Sequence, residues 1–148
     1  MNLDLEWKLS PLLASYFRKQ LAKTTTDTSP VIAFFDPMAI DEANRIVIES
    51  PKALVDRSSA DNFSAAVKIT VKSQLGQIGT LEDLKAHFQR VNEVRGKLFG
   101  DTFCADVSAL SAEVVITDCL PKFEFETDYT RVGFIFSETT ITLNGYAL

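Results

Sequence analysis

His87 is the only histidine of the chain, which excludes any site built on two or more imidazoles of a single copy. It follows Asp83 by four residues, the spacing at which side chains meet on a helix, so a local Asp83–His87 pair is expected before a catalytic role. Cys104 and Cys119 are the two cysteines. Either could serve as a thiol nucleophile with His87 as base, yet neither stands at a helix start after a recognisable strand. Two free buried thiols are the expectation. Glu124, Glu126 and Asp128 alternate along one run, which would set three carboxylates on one strand face for hydrolysis or a metal. Interleaved with Phe123 and Phe125, the same pattern describes a sheet face turned to water, and that is the stronger reading. Gly76-Gln77-Ile78-Gly79 lacks the lysine and serine or threonine that complete a phosphate-binding loop. The residues therefore predict no catalytic, cofactor-binding or metal-binding side chain, and no cofactor.

The elements that would carry these residues follow from spacing. Ser10-Pro11 reads as an N-cap and first helical position, with Leu12, Leu13, Tyr16, Phe17 and Leu21 on one side of a helix ending near Lys23. Arg18, Lys19, Gln20 and Lys23 are expected in water. Val31–Phe35 has the composition of a strand buried on both faces, Met38–Asn44 of a helical turn, and Arg45–Glu49 of a strand stopped by Ser50-Pro51. Lys52 to Asn62 is polar enough to be an extended surface loop. Ala65–Ser73 alternates, with Val67, Ile69 and Val71 toward a core and Lys68, Thr70 and Lys72 toward solvent. Thr80 caps a helix running to about Phe99, with Asp83 at the capping-box position and Gly100 as its stop. Leu81, Leu84, Phe88, Val91, Leu98 and Phe99 share one stripe, His87 lies at its edge, and Arg95 falls on the apolar side, where it must pair or reach for water. Ala112–Cys119, Phe123–Glu126 and Val132–Phe136 read as strands, the last two joined as a hairpin through Asp128-Tyr129-Thr130. The apolar parity then moves to Ile141 and Leu143, which predicts a bulge or break near Ser137–Thr139 and a final strand that leaves the sheet.

Together these predict a single α+β domain over 1–148, with a mostly antiparallel sheet, an N-terminal helix and one long amphipathic helix packed on one face. The 148 residues are 46 % hydrophobic, 24 % charged and include eleven phenylalanines, enough for a proper core. A formal net charge of −5 with scattered basic residues argues against binding to nucleic acid or anionic membrane. No apolar run approaches the length of a membrane span. The acidic opening residues lack the basic and apolar regions of a secretory leader, so cytosolic synthesis is expected.

The order of elements (helix Ser10–Lys23, strand Val31–Phe35, strand Ile46–Pro51, polar loop, strand Ala65–Ser73, helix Thr80–Phe99, closing strands Ala112–Leu143) resembles the tail-terminator, or tail-completion, proteins of long-tailed bacteriophages. The resemblance implies a virion neck protein assembled in the host cytoplasm and no enzyme. It implies a homo-oligomeric ring, hexameric in that family, with the tail tube protein and the head-tail connector protein as partners. DNA would pass through the lumen without specific binding, and no membrane is involved. Other phage neck or baseplate components share such an order. A small hydrolase using Glu124, Glu126 and Asp128, or an adaptor adding a strand to a partner sheet, are the readings outside that class. The 52–64 loop and the segment Thr140–Leu148 are the expected contact regions, being least explained by the subunit's own core.

Overall fold

The structure, a computed structural model, describes residues 5–24, 31–33, 45–49, 52–55, 62–74, 81–128 and 133–148. Among them are helices α1 (Leu5–Thr24), α2 (Leu81–Leu98) and α3 (Phe103–Ala109), and strands β1 (Val31–Ala33), β2 (Arg45–Ile48), β3 (Lys52–Val55), β4 (Asn62–Gln74), β5 (Val114–Asp128) and β6 (Phe134–Ala147). The fold is α+β. The strands form one sheet in the order β1-β2-β4-β6-β5, with β3 also paired to β4. Only β1 and β2 run parallel.

Odd-numbered residues of β4 and β6 build the helix-covered face. Phe63, Ala65, Val67, Ile69 and Val71 of β4 and Ile141 and Leu143 of β6 join Leu13 and Phe17 of α1, Val91, Val94 and Leu98 of α2, and Phe103 and Val107 of α3 in one core cluster. Tyr16 packs edge-on against Phe103 at 5.0 Å between ring centroids, tying α1 to α3. The helix α3 was not anticipated, because its apolar signal is only Phe103 and Val107, one turn apart.

Several expectations change. The helix α1 begins before Ser10-Pro11, so Pro11 lies inside it and leaves the Trp7 carbonyl without its usual N–H donor. Ser10 is not a cap: it is fully buried and its hydroxyl donates to the Glu49 carbonyl at 2.6 Å. Arg18, expected only in water, donates from Nε and Nη2 to the Val31 carbonyl at 2.9 and 2.6 Å, fastening β1 to α1. The predicted loop from Lys52 begins instead with β3, whose Lys52 to Val55 oppose Ala66 to Phe63. Four residues suffice there because β4 supplies a preformed template. Met38–Asn44, Thr80 and the loop residues 56–61 lie outside the described residues.

The second face of β4 is not simply wet. Thr70 and Lys72 are buried, with Val47 and Phe136 beside them in the register. The Lys72 ammonium sits 4.4 Å from the Phe134 ring centre and 5.9 Å from that of Phe136, where the ring faces attract a cation. Lys68 remains half-exposed and reaches Glu138 at 3.5 Å.

The C-terminal strand does not leave the sheet. β6 pairs with β4 without interruption from Phe134 opposite Gln74 to Tyr146 opposite Asn62. The bulges fall in β5 instead, between Ile116 and Asp118 and between Lys122 and Glu126. The apparent change of parity arises because Ser137 and Thr139 occupy the core face while Phe134 and Phe136 turn to the other.

Candidate functional site

Two hydroxyls on a buried sheet face need partners, and α2 brings them. Its buried positions are His87, Val91, Val94 and Leu98. The stripe is thus rotated from the predicted one: Leu81 is 65 % and Phe99 46 % exposed, while His87, expected at the edge, is sealed. The helix is also stopped differently, since Gly100 donates its N–H to the Lys97 carbonyl at 3.2 Å and has no positive φ.

His87 Nδ1 lies 2.6 Å from Ser73 Oγ on β4 and Nε2 lies 2.8 Å from Ser137 Oγ on β6. These serines, rather than Asp83, hold the ring. Ser137 Oγ is 3.1 Å from Thr127 Oγ1 of β5, and Arg90 Nη2 donates to Ser73 Oγ at 2.5 Å. One helix is thereby joined to three adjacent strands. The donors also order themselves. With Arg90 occupying a lone pair of Ser73, the Ser73 hydroxyl hydrogen is best placed on His87 Nδ1, leaving Nε2–H to donate to Ser137 and the Ser137 hydroxyl to donate to Thr127. Arg95, on the apolar side of the helix as expected, pairs across to β6: its Nε donates to Thr139 Oγ1 at 3.1 Å. Burial lowers its pKa.

Electrostatically the imidazole is kept neutral. Burial, then the Arg90 and Arg95 guanidiniums, push the His87 pKa down to about 4. A serine hydroxyl within hydrogen-bond reach of an imidazole is what nucleophile activation uses. Here Ser73 and His87 are both 0 % exposed and Ser137 1 %, so the pair has no face left for a substrate. What it does is fix the position of α2 on the sheet.

The remaining candidates are dispersed. Cys104 on α3 and Cys119 on β5 are free, half-buried thiols, remote from the serine partners of His87 in register. Glu124, Glu126 and Asp128 all lie on β5, with Glu126 opposite Glu138 and Asp128 opposite Phe136. No group of three or more metal-ligating side chains occurs among the described residues, and no described helix is long and apolar enough to cross a membrane. A groove of about 240 Å³ between α1 and the start of β5 is floored by Leu9, Leu12 and Leu110, with the Lys8–Glu113 ion pair, 2.6 Å long, at its rim.

Sequence reasoning missed Ser73, Ser137, Thr127 and Arg90. The signal was present in two places: polar residues at 137 and 139 where alternation demanded apolar ones, and a histidine four residues before Val91. Compared with known protein families and with curated proteins, the chain matches none of either.

Proposed function

We propose that this chain is a structural protein of virion assembly, resembling a phage tail terminator that caps the tail tube as a ring and joins it to the head-side connector, and that it is not an enzyme. The observation that supports this most is the open side of the sheet. Among the described residues β5, fifteen residues long, pairs with β6 on one edge only. Beside that edge, on the face away from the helices, Leu120 and Tyr146 are exposed at 55 % and 38 %. An unpaired edge and neighbouring apolar side chains are features that subunit contacts cover. Pro121 and the two bulges of β5 work against indiscriminate edge pairing, as a protein that must wait for a specific partner requires. The sealed His87 cluster points the same way, since the strongest potential nucleophile-base pair is inaccessible.

The contact regions expected earlier need revision. Thr140–Leu148 lies almost wholly in β6, in the interior of the sheet, so deleting it would unfold the subunit and test nothing about assembly. The informative variants are Leu120→Glu and Tyr146→Glu. Electron microscopy of tails formed without the protein should show overlong tubes, restored to uniform length by the wild-type chain and not by a folded double variant. Tails of normal length in its absence would overturn the reading. An adaptor that adds its β5 edge to another sheet is favoured by the same edge, and would instead give a stable one-to-one complex and no ring by light scattering with tube protein.

A further inference from the structure

Cys104 and Cys119 are brought together by two separate devices, which have nothing to do with assembly. The first is Ser108. It stands one helical turn after Cys104, accepts the Ile116 N–H at 2.9 Å, lies 3.3 Å from the Ile116 carbonyl, and donates to the Cys104 carbonyl at 2.7 Å. Thus α3 is held along β5 at a fixed height. The second is the bulge after Ile116. Residues three apart on a regular strand point to opposite faces, but here Ile116 opposes Gly145 and Cys119 opposes Leu143, two residues of the same helix-covered face. The extra residue turns Cys119 inward, toward α3. The consequence is direct: Cys104 from α3 and Cys119 from β5 both pack against the same core cluster, along the seam that Ser108 ties together.

We propose that Cys104 and Cys119 form a closable dithiol, a modification site at which the chain exchanges with a small disulfide such as glutathione disulfide and ends with α3 covalently joined to β5. The Cys104 thiolate attacks one sulfur of the oxidant and expels a glutathione thiolate, which takes up the proton Cys104 lost. Cys119, deprotonated in turn, attacks Cys104 Sγ and expels the second glutathione. Two protein thiols are oxidised and one small disulfide is reduced to two thiols. Burial raises both thiols, Cys119 to about 12, so closure is slow near neutrality and accelerates with alkali.

The test treats the folded chain with excess glutathione disulfide at mildly alkaline pH and follows intact mass and free thiols. Wild type should lose both thiols together, retain no glutathione, and yield a peptide linking residues 104 and 119. Its melting temperature should rise by several degrees and return on reduction, because a short loop is closed. Cys119→Ser should keep one glutathione on Cys104, for want of the resolving thiol, and Cys104→Ser should react at least tenfold more slowly. Retention of glutathione on wild-type Cys104 with Cys119 still alkylatable would overturn the proposal, as would a disulfide that links two chains or forms only in denaturant.

Discussion

One face of the sheet has two unlike ends. Around Phe63, Ala65, Val67, Leu143 and Phe103 it is packed with hydrocarbon, whereas around Ser73, Ser137 and Thr139 it is lined by hydroxyls that His87 and Arg95 satisfy. Both ends are equally dry. The apolar end is held by shape, so its tolerance depends on volume. The polar end is held by pairing, so its tolerance depends on whether every donor keeps an acceptor.

The sharpest probe of the apolar end is Gly145→Ala. A Cβ at Gly145 would be driven into the Val115 carbonyl oxygen and would touch the Phe63 ring at 3.0 Å. The backbone carbonyl belongs to the paired strand β5 and cannot swing aside, so a loss above about 4 kcal/mol, or failure to fold, is expected in urea denaturation. A loss below about 1 kcal/mol would show that β5 can slide and that shape does not rule this end.

At the polar end, His87→Leu should cost about 2–3 kcal/mol, since two hydroxyls lose a partner in a dry site. Adding Ser73→Ala and Ser137→Ala should recover part of that loss despite removing more native contacts. If the triple variant is instead less stable than His87→Leu alone, the distinction between pairing and packing fails.

Acid should act on the polar end by itself. The folded-state pKa of His87, about 4, lies below its ordinary 6.5, so the unfolded chain takes up the proton first. Stability from this group is complete above pH 6.5, falls as pH drops toward 4, and levels off below that, by roughly 3 kcal/mol in all. Equilibrium unfolding of wild type and His87→Leu across that window should show the slope in the former and a shallower one in the latter. The smallest effect belongs to Thr139→Val, under about 1 kcal/mol, because Arg95 is only half-buried and water can replace the hydroxyl.

The apolar end was legible from residue types, because alternation at Val67, Ile69 and Val71 states which face is inside. The polar end was not. Hydrophobic periodicity scores Leu81 and Phe99 as core and His87 as margin, and cannot know that two serines wait opposite the imidazole. The same blindness turned a continuous β6 into a supposed break, since Ser137 and Thr139 look like solvent positions until their partners on α2 are seen. β3 was missed for another reason: four residues carry too little pattern, and its stability comes from the neighbouring β4. The candidate site was legible only as an oddity, a lone histidine on an amphipathic helix.

The position of β6 bears on how the molecule comes to be made. It is the last of the described strands in chain order and yet lies between β4 and β5. While a ribosome is still adding residues 134–147, β4 has one bare edge, β5 has no neighbour at all, and the face that will be interior has its central rib missing. Folding must therefore wait on a late, long-range event, the kind that is slow and exposes sticky edges meanwhile. Nascent chains stalled before Phe134 should be held by chaperones and cleaved readily, and those carrying an added C-terminal linker long enough to bring Ala147 clear of the ribosome should be resistant.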